Sequence, residues 1–279
     1  MEYSIGQFIA SKRKELGYTQ QYLADKLNIS FQAVSKWEKG VSTPDISLLP
    51  ELARILHTSV DAIVGYAYTA KTDYEKRYKD ENYYWGLAPN RLCYEIMKLR
   101  PPIKPYRVLD MGCGEGKDAV FLARNGYQVT AFDASESGLK KAGELAARNG
   151  VEVDFIRADI NEFKPIEMYD IVFSSGVCHY IRKDKRASLF KELKEHTTGG
   201  GIHAMNVFVQ KPFIEMAPDS EEIERQTEPW YSGELLYYYN DWLFHKTEET
   251  IFNCNSGGIP HRHCMDIMIA QKGEADAET

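Results

Sequence analysis

No stretch of this 279-residue chain is apolar over the roughly 20 residues that a helix needs to cross a bilayer. Its opening residues, MEYSIGQFIASKRKELG, hold no apolar run behind a basic start. These absences predict a cytoplasmic protein with no secretory leader and no membrane partner. Cysteine is scarce: Cys93, Cys113, Cys178, Cys254 and Cys264 are odd in number and scattered, which argues against a disulfide framework and for a reducing compartment. Positive charge is lacking too. The formal net charge is −7, and residues 1–66 are balanced, with seven basic and seven acidic side chains. A nucleic-acid contact would therefore have to come from one local face, because the bulk of the chain repels phosphate.

What is present suits a folded core, with 43% hydrophobic and 27% charged residues. The first 65 residues read as short helices. Ile5, Phe8, Ile9 and Leu16 share one face before Gly17 stops the helix, and Thr19 caps a second helix carrying Leu23 and Leu27. Ser30 caps a third that runs through Val34 and Trp37 to Gly40. Pro44-Asp45 opens a fourth, with Leu48, Leu49, Leu52, Ile55 and Leu56 on one side. Residues 67–104 are rich in tyrosine and tryptophan among charges. They read as an aromatic linker followed by a helix at 90–99. From Arg107 strands and helices alternate, with strands at 107–111, 127–132, 152–157, 169–174, 201–209, 243–251 and 263–271. Helices fall at 116–125, 135–149, 184–196 and 233–241. Alternation of this kind predicts a mostly parallel sheet covered by helices on both faces. The expected architecture is a small all-α domain (1–66), the linker and capping helix (67–104), and an α/β Rossmann-like domain (105–273).

In the first domain, TQQYLADKLNISFQAVSKWEKG places Ala24 where two helices cross and packs Ile29, Val34 and Trp37 inward. Gln32, Ser35, Lys36 and Lys39 are left on the exposed side of the third helix. Amide and hydroxyl groups suit base edges, and lysine suits phosphate. This stretch resembles the lambda-repressor/Cro-like (XRE) helix-turn-helix family. The resemblance implies a recognition helix at about Ser30–Lys39 in the major groove of DNA, in a dimer reading two half-sites roughly 34 Å apart.

In the second domain, RVLDMGCGEGKDAVFLARNGYQVTAFDAS runs from a strand ending in Asp110 through Gly112, Gly114 and Gly116 into a helix. The next strand ends in Asp133. Glycines allow close approach of the backbone to a ligand, and an acid at that spacing suits ribose hydroxyls. An acid just before the glycines would repel a phosphate but suits a cationic amino group, which disfavours a dinucleotide. The D-x-G-x-G-x-G pattern, Asp133-Ala134-Ser135, Arg157-Ala158-Asp159-Ile160 and the strand Tyr169–Ser174 together resemble the class I methyltransferases. The resemblance implies S-adenosyl-L-methionine as cofactor. Gly112 and Gly114 would line its methionine part, Asp110 would orient its amino group, Asp133 and Ala134 would hold the ribose, Asp159 and Ile160 the adenine, and Ser174 would close the end of the fourth strand. Trp85, with Tyr84 and Asn90, would cap the sulfonium from the N-terminal side.

After the fourth strand the chain reads SSGVCHYI, without the acid or Asn, two prolines and an aromatic of nucleic-acid amino-methyltransferases. The segments ARNGYQVTAFD and GELLYYYNDW and the final strand ending in MIAQK instead resemble the tellurite-resistance and small-molecule methyltransferase group. This implies a small acceptor with a soft nucleophile, a thiol or a chalcogen compound. The His-Arg pair that the tellurite enzymes carry in the late hairpin aligns near Phe252-Asn253, a departure that leaves tellurite itself unsupported. His179 and Tyr180, just past the fourth strand, are the candidate catalytic residues, and His261 and Arg262 the candidate substrate contacts. Cys254, His261, His263 and Cys264 raise a metal reading, but with no C-x-x-C pair the expectation is no metal. Residues 210–232 read as a lid. The alternative function is a transcription regulator whose methyltransferase-like domain senses the cofactor or a toxicant without turnover.

Overall fold

The computed structural model describes residues 4–56, 58, 60–64, 74–214, 228–254 and 261–274. The chain divides into two units, Met1–Thr69 and Ala70–Thr279. The described parts of the first are α1 (Ile5–Glu15), α2 (Gln20–Leu27), α3 (Phe31–Glu38), a single 3-10 turn (Ile46–Leu48), α4 (Leu49–Ile55) and α5 (Val60–Val64). Each of the first three helices starts on a hydroxyl. Ser4, Thr19 and Ser30 accept hydrogen bonds from the amides of Gln7, Tyr22 and Ala33, donors that the helix cannot satisfy internally. Asn28 ends α2 in the left-handed region, φ 52°, a conformation Asn tolerates better than most residues, and so turns the chain toward α3 within two residues. Pro44-Asp45 opens the 3-10 turn rather than α4. Asp45 caps Ser47, and α4 begins only where Pro50 fits its first turn.

Ile9, Leu23, Ala24, Val34, Leu52 and Ile63 are fully buried in this unit. α1 and α3 approach so closely that a Cβ on Gly6 would stand 1.8 Å from the Trp37 carbonyl oxygen. Beside this contact Arg13 donates to both carboxylate oxygens of Glu38, at 2.6 and 2.9 Å, and to the Tyr18 carbonyl at 2.6 Å. Gln20 donates to the same carboxylate at 2.7 Å. The pair ties all three helices together from inside. Burial would raise the Glu38 carboxyl, but the hydrogen bonds from Arg13 and Gln20 outweigh it and hold it below the usual carboxylate range. The stabilisation is therefore complete above the unfolded value, about 4.3, and is lost as pH falls through the lower folded value.

The second unit comprises α6 (Tyr74–Arg77), α7 (Arg91–Leu99), β1 (Arg107–Met111), α8 (Lys117–Arg124), β2 (Gln128–Asp133), α9 (Glu136–Asn149), β3 (Asp154–Arg157), β4 (Tyr169–Ser174), α10 (Lys183–Glu195), β5 (Thr197–Val209), α11 (Glu234–Tyr237), β6 (Leu243–Cys254) and β7 (His261–Gln271). Residues 74–104 belong to this unit and do not stand apart as a linker. Among the described residues the strands form one sheet in the order β3-β2-β1-β4-β5-β7-β6. Pairing is parallel from β3 to β5, and β7 runs antiparallel to both β5 and β6. Apolar clusters cover both faces. One gathers Leu109, Val172, Phe190 and Trp230, the other Val108, Ile96, Ala131 and Ile171. Burial on both faces explains why β1 and β4 read as continuous apolar runs. The strand order reverses between β1 and β4, which opens a crevice at their carboxyl ends.

α11 is shorter than the helix expected at 233–241. It stops where Tyr239 turns inward, fully buried, with its hydroxyl 2.7 Å from His203 Nδ1. The expected lid lies outside the described residues at 215–227. Its two ends are tied by a hydrogen bond from the Gln210 amide to the Trp230 carbonyl, 2.8 Å. Arg186, fully buried, donates to the Pro229 carbonyl and Glu234 and packs over Trp230, with its Cζ 4.0 Å from the ring centroid.

Replacing Glu38 by alanine leaves a buried guanidinium unpaired, which costs roughly 3 kcal/mol. Hydrogen exchange of the α1–α3 amides in the full chain should accelerate about a hundredfold, with exchange in the sheet unchanged. An unaltered pattern would show that the pair is not what joins these helices.

Candidate functional site

The crevice is built from the glycine-rich turn after β1. The amides of Gly112 and Cys113 both donate to the Phe132 carbonyl, at 2.8 and 2.9 Å. The Gly114 amide donates to Asp133 Oδ2, and the Ser135 amide to Oδ1, each at 2.8 Å. Burial raises the Asp133 carboxyl, and these amides pull it back only in part. A carboxylate offers about four lone-pair sites, and with the Ala134 amide also directed at it at least one remains for a hydroxyl of a ligand.

Above the turn lies a cavity of about 470 Å³, within the usual size of small-ligand pockets, roughly 300–1,000 Å³. Asp133, Ala134, Asp159 and Ile160 line one end. Gly112, Gly114, Tyr78, Trp85 and Asn90 surround the middle. Val177 and Tyr180, from the loop after β4, and Asn206, Phe208, Phe252 and Met265, from β5, β6 and β7, line the part that the strand order sets away from β2 and β3. A larger depression of about 720 Å³ sits by Arg107, Gln128, Asp154 and Tyr169, the first residues of four strands. Open α/β sheets take ligands at the carboxyl ends of their strands, so the smaller cavity is the site.

Of the residues expected on this wall, Trp85, Gly112, Gly114, Asp133, Ala134, Asp159, Ile160 and Tyr180 line it. Asp110, Ser174 and His179 do not. Asp110 is buried in β1 with its Oδ2 lacking a hydrogen-bond partner among the described residues. Burial, with Asp118 nearby, pushes its carboxyl well above the usual range. Asp110 is thus not on the cavity wall, and its Oδ2 has no partner there among the described residues. Ser174 is buried with Oγ 3.3 Å from Cys178 Sγ, and the neighbouring Ser175 lines the cavity in its place. His179 stacks on Phe208 at 4.6 Å, with Nδ1 buried and unpartnered among the described residues. Burial, aided by His263, pushes it down to about 3, so it is neutral and a weak base at neutral pH, and it lies behind Phe208. Burial likewise raises the Tyr180 hydroxyl, which leaves it a donor rather than a base.

His261 and Arg262 are successive on β7 and point to opposite faces. Cys254 pairs with His261 and Phe252 with His263, so these four share a face with Met265. Phe252 and Met265 of this face reach the cavity, whereas Arg262 is exposed on the other. Neither His261 nor Arg262 is on the wall itself. His261 Nε2 stands 2.8 Å from His263 Nε2, and ligand atoms of Cys254, His261 and His263 all lie within 4.8 Å of one another. Cys264 faces away and is buried in the core.

Sequence reasoning missed the stitching of residues 74–90 onto the turn. Glu75 accepts from the Ser135 and Ser137 hydroxyls, each at 2.6 Å, and Glu115 from the Tyr84 amide at 2.8 Å. Asp118 accepts from the Asn90 amide at 2.6 Å and from Lys117 at 2.7 Å. Asn90 and Asn206 both donate to Ser175 Oγ, at 2.8 and 3.1 Å. The acid run in GEGKDA was the one available signal. In the first unit, Gln32, Lys36 and Lys39 are exposed and Ser35 is half-buried, spaced to share one face of α3 and its C-terminal cap.

Crevice, acidic ends of β1 and β2 and strand order together define the second unit as a class I S-adenosylmethionine-dependent methyltransferase domain, and the first unit is a helix-turn-helix domain. Residues 75–257 match the model of the tellurite resistance protein TehB family and residues 9–63 that of a helix-turn-helix family. The chain belongs to the TehB family. It is 30% identical over 157 residues to a probable S-adenosyl-L-methionine-dependent methyltransferase TehB of Haemophilus influenzae, covering 53% of each chain. It is 34% identical over 119 residues to a ubiquinone biosynthesis O-methyltransferase of Rickettsia canadensis, covering 42% of this chain and 50% of that one. The chain thus spans about half the length of the curated relatives it matches. The solved TehB structure from Haemophilus influenzae superposes with a TM-score of 0.58 at 25% identity, covering 71% of this chain and 65% of that one.

Asp133→Asn puts an amide where two backbone donors converge and removes the charge offered to ribose. S-adenosylmethionine affinity, read by calorimetric titration, should fall tenfold or more at unchanged circular dichroism. Equal affinity would separate Asp133 from the cofactor.

Proposed function

We propose that the chain is an enzyme that methylates a small soft nucleophile, a thiol or a related chalcogen compound, and that its helix-turn-helix unit binds a specific DNA site. The observation that carries the reading is the composition of the cavity from end to end. Its acidic end, with Asp133 and Asp159, fits a ribose and an adenine. The Gly112–Gly114 backbone in the middle fits the methionine part, and the aromatic faces of Tyr78 and Trp85 suit a sulfonium. The bound cofactor supplies a methyl group on a positively charged sulfur.

The far end is formed by Val177, Tyr180, Asn206, Phe208, Phe252 and Met265, with no lysine or arginine among these residues. Among the described lining residues only Lys117, paired with Asp118 by the glycine turn, is basic, so an oxyanion at this end would find no cationic side chain among them, which is costly. A neutral acceptor is not penalised in the same way. Phe208 and Phe252 exclude water and hold the acceptor in line, while Tyr180 and Asn206 offer hydrogen bonds that orient it. Positioning of this kind is the principal aid to an in-line displacement. With His179 neutral and behind Phe208, no side-chain base is assigned. A thiol with a pKa near 8.5 already supplies a few per cent of thiolate at neutral pH.

On DNA, Gln32 and Ser35 would meet base edges and Lys36 and Lys39 phosphates, in a homodimer reading two half-sites. Loss of Lys36 or Lys39 should weaken binding evenly across sequences and lower the salt slope by about 1, whereas Gln32→Ala should relax specificity at one position. Fluorescence anisotropy with selected DNA sites tests this, and unchanged binding in all three variants would remove α3 as the contact.

The enzymatic reading is tested by S-adenosylhomocysteine release with small thiols, selenite, tellurite and small amines. Turnover should be found with thiols and not with tellurite. Cofactor binding without product from any acceptor would overturn it in favour of a regulator that senses the cofactor.

A further inference from the structure

We propose that Cys254, His261 and His263 form a metal site for a borderline-soft divalent ion, zinc fitting best, with a fourth position left for water or substrate. The cross-strand register makes the site. Cys254 on β6 is directly opposite His261 on β7, and His263 follows two residues later on the same face. All three side chains are half-buried, so they converge under partial cover and are not splayed into solvent.

The spacing suits such an ion. Zinc bonds of about 2.0–2.1 Å to nitrogen and 2.3 Å to sulfur place tetrahedral ligands about 3.3–3.6 Å apart. Here the two Nε2 atoms stand 2.8 Å apart and the whole set lies within 4.8 Å. Small side-chain rotations close that gap without moving either strand. Two imidazole nitrogens that share a hydrogen bond present converging lone pairs once the shared proton leaves. Binding would release the thiol proton of Cys254 and move the shared proton to Nδ1 of the donating imidazole. His263 is already oriented, its ring stacked on Phe208 at 4.6 Å and 7°. A thiolate and two imidazoles favour zinc over the hard, oxygen-seeking ions.

Three protein ligands leave the fourth tetrahedral position for water or substrate. Phe208, on which His263 stacks, and Phe252, its cross-strand partner, both line the acceptor end of the cavity. An ion there would stand behind that wall, since none of its three ligands lines the cavity, and a thiol that reached the fourth position would be held as thiolate. This role rests on the methyl-transfer reading; the ion site does not.

The test uses the tag-free full chain, stripped with chelator and titrated with Zn²⁺ and Co²⁺. One equivalent should bind per chain, and the Co²⁺ form should show thiolate-to-cobalt charge-transfer absorption. Cys254→Ser should abolish that absorption, and His263→Gln should weaken Zn²⁺ at least tenfold, both with unchanged circular dichroism. No retained metal, or stoichiometric metal with an unaltered spectrum in Cys254→Ser, overturns the site. S-adenosylmethionine titration of the same stripped chain keeps the two proposals apart, because loss of cofactor binding counts against methyl transfer and leaves the metal result standing.

Discussion

The carboxylate of Asp133, accepting the Gly114 amide, is the contact from which the rest of the second unit's cavity is laid out. Together with the two amides that converge on the Phe132 carbonyl, it hooks the turn after β1 onto the end of β2. A turn hooked so tightly leaves no room for a side chain at Gly112 or Gly114. Gly112 and Gly114 have φ of 70° and 53°, and a Cβ on either would fall within 3 Å of a neighbour, Val177 for the first and the Tyr78 hydroxyl for the second. The two glycines therefore serve as seats for two further pieces of wall. Val177 brings the loop after β4, and Tyr78 brings the segment after α6. One acid–amide contact thus decides the depth of the cavity and which elements surround it.

The cover over that turn is held by charge. Glu75 sits at the start of α9, Asp118 and Glu115 at the start of α8, and each accepts from backbone or hydroxyl donors that would otherwise be unsatisfied. Acids in a first helical turn are favoured by the helix dipole, and hydrogen bonds to ionised groups contribute about 1.5–3 kcal/mol each. The same three acids carry Tyr74, Tyr84 and Trp85 into a contiguous aromatic group, with ring centroids 4.8–6.2 Å apart. A segment whose composition resembles a linker is thereby converted into the roof of the site.

Legibility in the sequence followed how local the determinant was. The strands β1 and β4, buried on both faces, are plain apolar runs, and the hydroxyl caps of α1–α3 lie next to the helices they start. The glycine turn and Asp133 were readable because their spacing along the chain is itself the motif. Contacts across long separations were not. Nothing near Glu75 marks it as a partner of Ser135 and Ser137, and nothing near Arg13 points to Glu38, 25 residues on. His179 failed for a related reason. Its place just after β4 is the right one for a catalytic group, but Phe208 and His263, which decide its burial, come from two later strands. Arg262 failed through the two-residue period of a strand: its neighbours His261 and His263 share the face of Phe252 and Met265, and it does not.

That period also explains the character of the acceptor end. His179, Phe208 and His263 form a stack, with Phe208 between two imidazoles at 4.6 Å from each. Burial holds both rings below their usual range, to about 3 for His179 and about 4 for His263. Uncharged imidazoles make poor partners for an oxyanion and poor bases at neutral pH, but they keep the lone pairs that the proposed soft-ion site would use. The stack therefore bears on both proposals at once: a methyl transfer with no assigned base, and a ligand set beside it that would suit a soft ion. Both follow from placing the late hairpin against β5, so that the chemistry at this end of the cavity is decided by the antiparallel strand β7 and not by the parallel strands that shape the cofactor end.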